Sequence, residues 1–197
     1  MKKLFVWILV LGLAGLLSGT AFSQTVGLEA HGLYAFSFNG DLNSDSIEPK
    51  DSFGLGGTIV LSLADYLKID LGIDYLKADL KSSDISGGNS GDIELLPLTV
   101  GVRLGQSFDF AFLYVGGGIG RSFNDASGDG GWLDLKDCMI YYACLGGEIG
   151  LTDNLVLRPE LRYNWLRPEL EVGLFDDWKE DWKLDHFQAR LGLGWYF

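Results

Sequence analysis

The sequence predicts an all-β protein: an eight-stranded antiparallel up-and-down transmembrane β-barrel over residues 24–197, behind a leader of residues 1–23. Three observations carry this. Apolar and polar residues alternate with period two over most of the chain after Gln24, as strands do when each face meets a different environment. The alternating stretches run 12 to 15 residues, long for a soluble sheet and more than the ~9–11 that cross a bilayer at a tilt. The connections alternate between short turns and long polar loops, three of one and four of the other. A barrel with its turns at one end and its loops at the other has that layout.

The leader comes first. Met1-Lys2-Lys3 precedes a charge-free run from Leu4 to Leu17, then Ser18-Gly19-Thr20-Ala21-Phe22-Ser23. A basic start, a short apolar stretch and small residues at Ala21 and Ser23 predict a secretory signal cut after Ser23. The run has 14 residues, short of the ~20 that a spanning helix needs. No Cys stands directly after it to carry a lipid. Beyond Gln24 no apolar run approaches ~18 residues, so inside a membrane the backbone can be satisfied only by a closed barrel.

The strands follow in order. The first is expected over 26–38, with Tyr34, Phe36 and Phe38 on its apolar face. The second (52–63) and third (67–78) meet at Ala64-Asp65-Tyr66; in the third, Leu67, Ile69, Leu71, Ile73 and Tyr75 oppose Lys68, Asp70, Gly72 and Asp74. The fourth (92–104) turns at Gly105-Gln106-Ser107 into the fifth (108–122), whose two phases both carry apolar residues, so its facing stays open. The sixth (137–151) sets Tyr141, Ala143 and Leu145 against Cys144, Gly146 and Glu148. After Thr152-Asp153-Asn154 the seventh (155–168) sets Leu161, Tyr163 and Trp165 against Arg158, Glu160 and Arg162. The eighth (185–197) alternates most cleanly, with Phe187, Ala189, Leu191, Leu193, Trp195 and Phe197 on one face. Pro97 and Pro159 fall inside strands, where each removes a ladder donor, and bulges are expected at both.

Composition narrows the field. At 47% hydrophobic and 21% charged residues the chain is too apolar for disorder. Its 15 basic and 27 acidic residues leave a formal charge of −12, which argues against a nucleic-acid binder resting on phosphate contacts. Two cysteines build neither a disulfide framework nor a four-ligand zinc site. Cys138 and Cys144 share a face, and in an extended strand they stand ~20 Å apart, too far to bond to each other.

Glycine placement decides which face points inward. Glycines gather on the charged face of the second, fourth, sixth and eighth strands. Small residues suit a narrow lumen, whereas a solvated outer face has no need of them. The apolar face carries aromatics near strand ends: Tyr34, Phe36, Phe38, Tyr75, Tyr163 and Trp165, with Trp195 and Phe197 at the other rim. Those are the expected interfacial girdles. The expected location is therefore the outer membrane of a Gram-negative-type bacterium, in contact with its lipid and lipopolysaccharide.

Three stretches carry a resemblance. Leu193-Gly194-Trp195-Tyr196-Phe197, Tyr114-Val115-Gly116-Gly117-Gly118-Ile119-Gly120, and Leu151-Thr152-Asp153-Asn154-Leu155 running into Arg158-Pro159-Glu160-Leu161-Arg162-Tyr163 resemble the small outer-membrane barrels that include the opacity proteins and the OmpA, OmpX and OmpW barrels. The resemblance spans essentially all of the chain after the leader. It implies that Trp195 and the terminal Phe197 form the signal that the barrel-assembly machinery reads. For the OmpW branch it implies passage of small or apolar solutes.

The inward face carries Glu29, Asp70, Asp74, Glu148 and Glu160 against Lys68, Arg103, Arg158, Arg162 and Arg190, five of each sign. Eight strands leave an interior that side chains nearly fill, and an unpaired buried ion costs several kcal/mol, so these charges are expected to pair. Glu148 with Arg158 is the first expected pair, because both lie at similar distances from the 152–154 turn. Asp70 with Arg103, and Glu29 or Glu160 with Arg190, follow if the last strand closes on the first. A filled lumen favours a structural plug over a gated conduit.

Loops 39–51, 79–91, 123–137 and 169–185 carry net charges of −3, −1, −3 and −5, the whole of the chain's −12. A solvated, repelling surface is the plain reading; divalent-cation bridging to the anionic outer leaflet is the functional one. Asp41-Leu42-Asn43-Ser44-Asp45 and Asp125-Ala126-Ser127-Gly128-Asp129 place oxygen ligands at alternate positions. Ser52 and Lys136 stand where a calcium loop needs its acidic twelfth residue, so no metal site is expected. Trp132, Trp178 and Trp182 in these loops are expected to cover the barrel mouth.

No catalytic residue and no cofactor are expected. Some barrels of this fold modify lipid A with a His followed two residues later by Ser, but His186 is followed by Phe187-Gln188. His31 is the other histidine, and Ser37 is expected on the same side of its strand. The first expectation is a non-enzymatic envelope protein that meets an extracellular partner through its loops. The alternative is a narrow passage for small or apolar solutes.

Overall fold

The computed structural model describes residues 25–39, 47–82, 91–128, 133–172, 179–181 and 183–197. The predicted leader, Asp41, Asp45, Asp84, Asp129, Trp132, Asp176, Asp177, Trp178 and Trp182 lie outside these residues. The strands are β1 (Thr25–Asn39), β2 (Ile47–Pro49), β3 (Ser52–Ala64), β4 (Leu67–Ser82), β5 (Gly91–Ser107), β6 (Ala111–Gly128), β7 (Leu133–Leu135), β8 (Cys138–Gly150), β9 (Leu155–Leu166), β10 (Glu169–Val172), β11 (Lys179–Asp181) and β12 (Asp185–Tyr196). Among the described residues there is no helix.

Eight of these strands close a barrel. Each of β1, β3, β4, β5, β6, β8 and β9 pairs antiparallel with the next of the long strands, and β12 returns to β1. Closure removes every edge of the main sheet, which is what lets strands stand in lipid with no unpaired backbone. The four short strands lie in segments expected as loops: β2 pairs with β4, while β7, β10 and β11 form a separate sheet.

The alternation sorts the faces as the glycines foretold. Glu29, Asp70, Asp74, Arg103, Glu148, Arg158, Glu160, Arg162 and Arg190 are all buried. Leu55, Leu113, Val115, Leu145, Leu191 and Leu193 are exposed outward. A water-soluble barrel would have these reversed.

The outer face carries a continuous aromatic belt on β3, β1, β12 and β9. Phe53 packs on Tyr34 at 4.8 Å between ring centroids, Phe36 on Phe187 at 5.8 Å, and Phe187 on Tyr163 at 4.7 Å. The register accounts for it, because Tyr34 pairs with Phe53, Phe36 with Phe187 and Phe187 with Tyr163. At the opposite rim Trp195 and Phe197 are exposed. Phe187 and Phe197 stand ten residues apart, about 33 Å along the strand and about 25 Å across a bilayer at a tilt of about 40°. That matches the apolar band of an outer-membrane barrel.

Four expectations are corrected. The fifth predicted strand begins at Ala111, and Phe108 to Phe110 form the turn. It is closed by Phe108 N–H donating to Ala111 O at 2.7 Å. Its facing is then settled: Phe112 and Tyr114 point in, Leu113 and Val115 out. No bulge forms at either proline. Ile73–Leu98 and Leu76–Leu95 keep one register past Pro97, as Gly146–Glu160 and Ile149–Leu157 do past Pro159. The missing donor interrupts the ladder locally, and closure of the sheet holds the alignment. Irregularities fall instead in β3 between Ser62 and Ala64 and in β1 between Phe36 and Asn39, where Ser37 has a φ of 57°. That kink exposes Ser37 and turns Phe38 inward, off the expected girdle.

Candidate functional site: the barrel interior

The interior is built in layers, beginning at the end with the short turns. Lys68 of β4 and Arg103 of β5 pair directly across their strands. Both grasp Glu148 of β8: the Lys68 ammonium donates to it, and Arg103 Nη1 donates to Oε1 at 2.7 Å. Arg103 Nε also donates to Asp70 at 2.5 Å, and Tyr196 Oη accepts from Lys68 at 3.2 Å. Two cations and two carboxylates thus cancel within one layer.

The next layer joins β1, β4, β9 and β12. Arg158 of β9 faces Glu29 of β1 at 2.5 Å. Gly192 of β12 makes room, because a Cβ there would meet Glu29 Oε1 at 2.5 Å. His31 stands 3.2 Å from Glu29 and 2.8 Å from Asp74, which also pairs with Arg190.

Above it, Glu160 takes three partners. Tyr114 Oη donates to it at 2.8 Å, Arg162 lies at 3.0 Å and Arg190 at 3.6 Å. The Arg162 guanidinium lies 3.7 Å over the Tyr142 ring. Stacking of a guanidinium on an aromatic face is favoured where water is excluded. Tyr142 in turn occupies the space over Gly101 and Gly118, where no side chain fits.

The polar stack ends at His186. Its Nδ1 lies 2.8 Å from Leu184 O, and its Nε2 lies 3.1 Å from the Gln188 amide and 3.3 Å from that of Asn164. A ring that donates through Nδ1 and accepts through Nε2 is a neutral imidazole fixed by its neighbours.

Beyond His186, at the loop end, the interior becomes apolar. Leu33, Ala35, Leu76, Ala78, Ile93, Leu95, Ile140 and Leu166 point inward from the wall, joined by Leu135 of β7 and Leu184 just before β12. Phe38 packs on this cluster and on the His186 ring at 4.7 Å. The signal for it stood in the sequence: Leu33 and Ala35 continue the phase of Glu29 and His31, and Leu76 and Ala78 that of Asp70 and Asp74.

The structure thus brings together Asp70 with Arg103, and Glu160 with Arg190, among the expected pairs. It does not join Glu148 to Arg158. The register of β8 and β9 brackets them opposite each other, but long side chains in a narrow lumen reach past their cross-strand neighbour to charges over the glycines. Cys138 and Cys144 are free, both on the inner side of β8. Ser37 is exposed, so no Ser–His arrangement forms with His31. Among the described residues no group of acids, His and Cys is placed to hold a metal ion.

A closed eight-stranded barrel with charges inside and leucines outside defines a class, the small integral protein of a bacterial outer membrane. The model of the outer membrane protein beta-barrel domain family matches residues 9–197. The chain belongs to that family and sits in the outer membrane of a Gram-negative bacterium, within its lipid.

Solved structures agree in fold. OprG of Pseudomonas aeruginosa is 14% identical, with a TM-score of 0.63 over 88% of this chain and 95% of that one. AlkL in lipid bilayers is 19% identical, with a TM-score of 0.64 over 91% and 92%. Outer membrane protein W of E. coli is 16% identical, with a TM-score of 0.60 over 87% and 97%. No curated protein matches the sequence.

Proposed function

We propose that this is a non-enzymatic outer-membrane barrel, plugged by its own charges, that works through the acidic loops at its loop end. The observation that carries this is the filled interior. The side chains of Arg103, Glu148, Asp70, Arg158, Glu29, Arg162, Glu160 and Arg190 are at most 5% exposed and pair with one another. A stack of mutually paired charges is a poor ion path, because each charge that lets go of its partner is left in a low-dielectric space. The leader is removed on export, and Trp195 and Phe197 direct insertion by the barrel-assembly machinery. What then faces outward is the loop end, whose −12 suits contact with a cationic surface or with lipopolysaccharide through divalent cations.

Cells displaying the protein with the acids of 39–51, 123–137 and 169–185 replaced by Ser and Asn test this reading. The variant should fold and lose adhesion to cationic surfaces; adhesion kept in full contradicts it.

The apolar cluster at the mouth favours a second reading, uptake of small apolar solutes into the loop end. Ile93→Asn with Leu95→Asn should then slow uptake of an apolar fluorophore by vesicles carrying the protein. Unchanged uptake removes this reading.

A further inference from the structure

We propose that His31 is a proton-controlled clamp inside the barrel, holding Glu29 and Asp74 together only while its ring carries both protons. The two ring nitrogens face two different carboxylates: Nε2 lies 2.8 Å from Asp74 Oδ1 and Nδ1 lies 3.2 Å from Glu29 Oε1. A carboxylate only accepts hydrogen bonds, and a neutral imidazole has one N–H to give. The neutral ring would therefore aim a lone pair at one of the two anions. Only the imidazolium attracts both.

The fold builds space for this contact. His31 of β1 pairs with Gly56 of β3, and Gly56 pairs with Asp74 of β4. A Cβ on Gly56 would collide with both His31 Nε2 and Asp74 Oδ1, so the contact from β1 to β4 exists because β3 carries no side chain there. On the other flank His31 pairs with Gly192 of β12, the position that gives Glu29 its room.

The charged groups around the ring are few. Glu29 comes from its own strand, Asp74 from β4, Arg190 from β12 and Arg158 from β9, while β3 supplies only Gly56 and Thr58. Arg158 faces Glu29 and Arg190 holds Asp74, so each carboxylate keeps a cationic partner when the ring gives up a proton. Deprotonation then breaks the longer contact, to Glu29, and leaves a lone pair against it. The clamp contributes at low pH and is lost as pH rises through the titration of the ring.

The test uses the intact protein purified from outer membranes in micelles. With the ring nitrogens labelled with 15N, both nitrogens of His31 should carry protons at pH 5.5, and one should be lost as pH rises to 8.5. Over the same range the unfolding equilibrium in urea should shift several-fold toward the unfolded state. His31→Gln should abolish that shift and His186→Gln should keep it. A ring that is neutral throughout overturns the clamp, as does a pH dependence that survives His31→Gln. If His31→Gln fails to fold, the ring spectrum of the unaltered protein decides alone.

Discussion

Glu160 shows how much one side chain carries inside this barrel. It accepts from Tyr114 and faces Arg162 and Arg190, and Arg190 also pairs with Asp74. Removing one member of a buried charge group leaves the others unpaired, at about 3–5 kcal/mol. Glu160→Ala should lower folding stability in vesicles by that amount, read as a fall in the urea midpoint; a loss below about 1 kcal/mol would mean the arginines find other partners. At this scale the sequence told which residues point inward, because alternation fixes facing. It did not tell which partner each one takes. Glu148 and Arg158 sit opposite in register, yet Arg158 reaches over Gly192 to Glu29 and Glu148 reaches Lys68 and Arg103. Partner choice depends on where the glycines open space between strands, and a pairing rule based on neighbouring strands alone does not see that.

The strands themselves were legible from period two and from the turns, and the deviations have local causes. Phe108 and Phe110 kept the alternation of the fifth strand running through what is a turn, since aromatic residues serve a turn at the membrane rim as well as a strand. The lost donors at Pro97 and Pro159 call for bulges, yet the register runs straight past both. In an isolated sheet a lost donor invites slippage, whereas here each strand is held on both sides. Pro97→Ala should therefore leave the register unchanged and restore one ladder bond, for a gain of about 0–1 kcal/mol. Altered cross-strand contacts in the NMR spectrum would show that Pro97 does set the alignment. The irregularity at Ser37 gave no sequence signal, because Ser is not the residue that a left-handed φ calls for.

For the whole molecule, the decisive feature is that its polar atoms face in and its leucines face out. Leu145 lies on the outer face near the middle of β8 and Ile149 near its turn end. Arg at the midplane of a barrel's lipid face costs about 2–4 kcal/mol and near the interface about 0–1. Leu145→Arg should accordingly destabilise the protein in vesicles far more than Ile149→Arg, and equal costs would count against the membrane placement. Composition, alternation and loop rhythm were enough to reach this architecture. The apolar upper interior is less legible, since charged residues in the same phase mark the lumen for ion pairs.

Single-channel recording in a planar bilayer tests the proposed closure of the lumen by its own salt bridges most directly. The refolded protein should show no discrete steps at moderate voltage, while Glu148→Ala and Arg158→Ala unfold at lower urea and remain silent. Steady steps from the unaltered protein, changing in size with either variant, would contradict the plug and make the same charges the lining of a conduit.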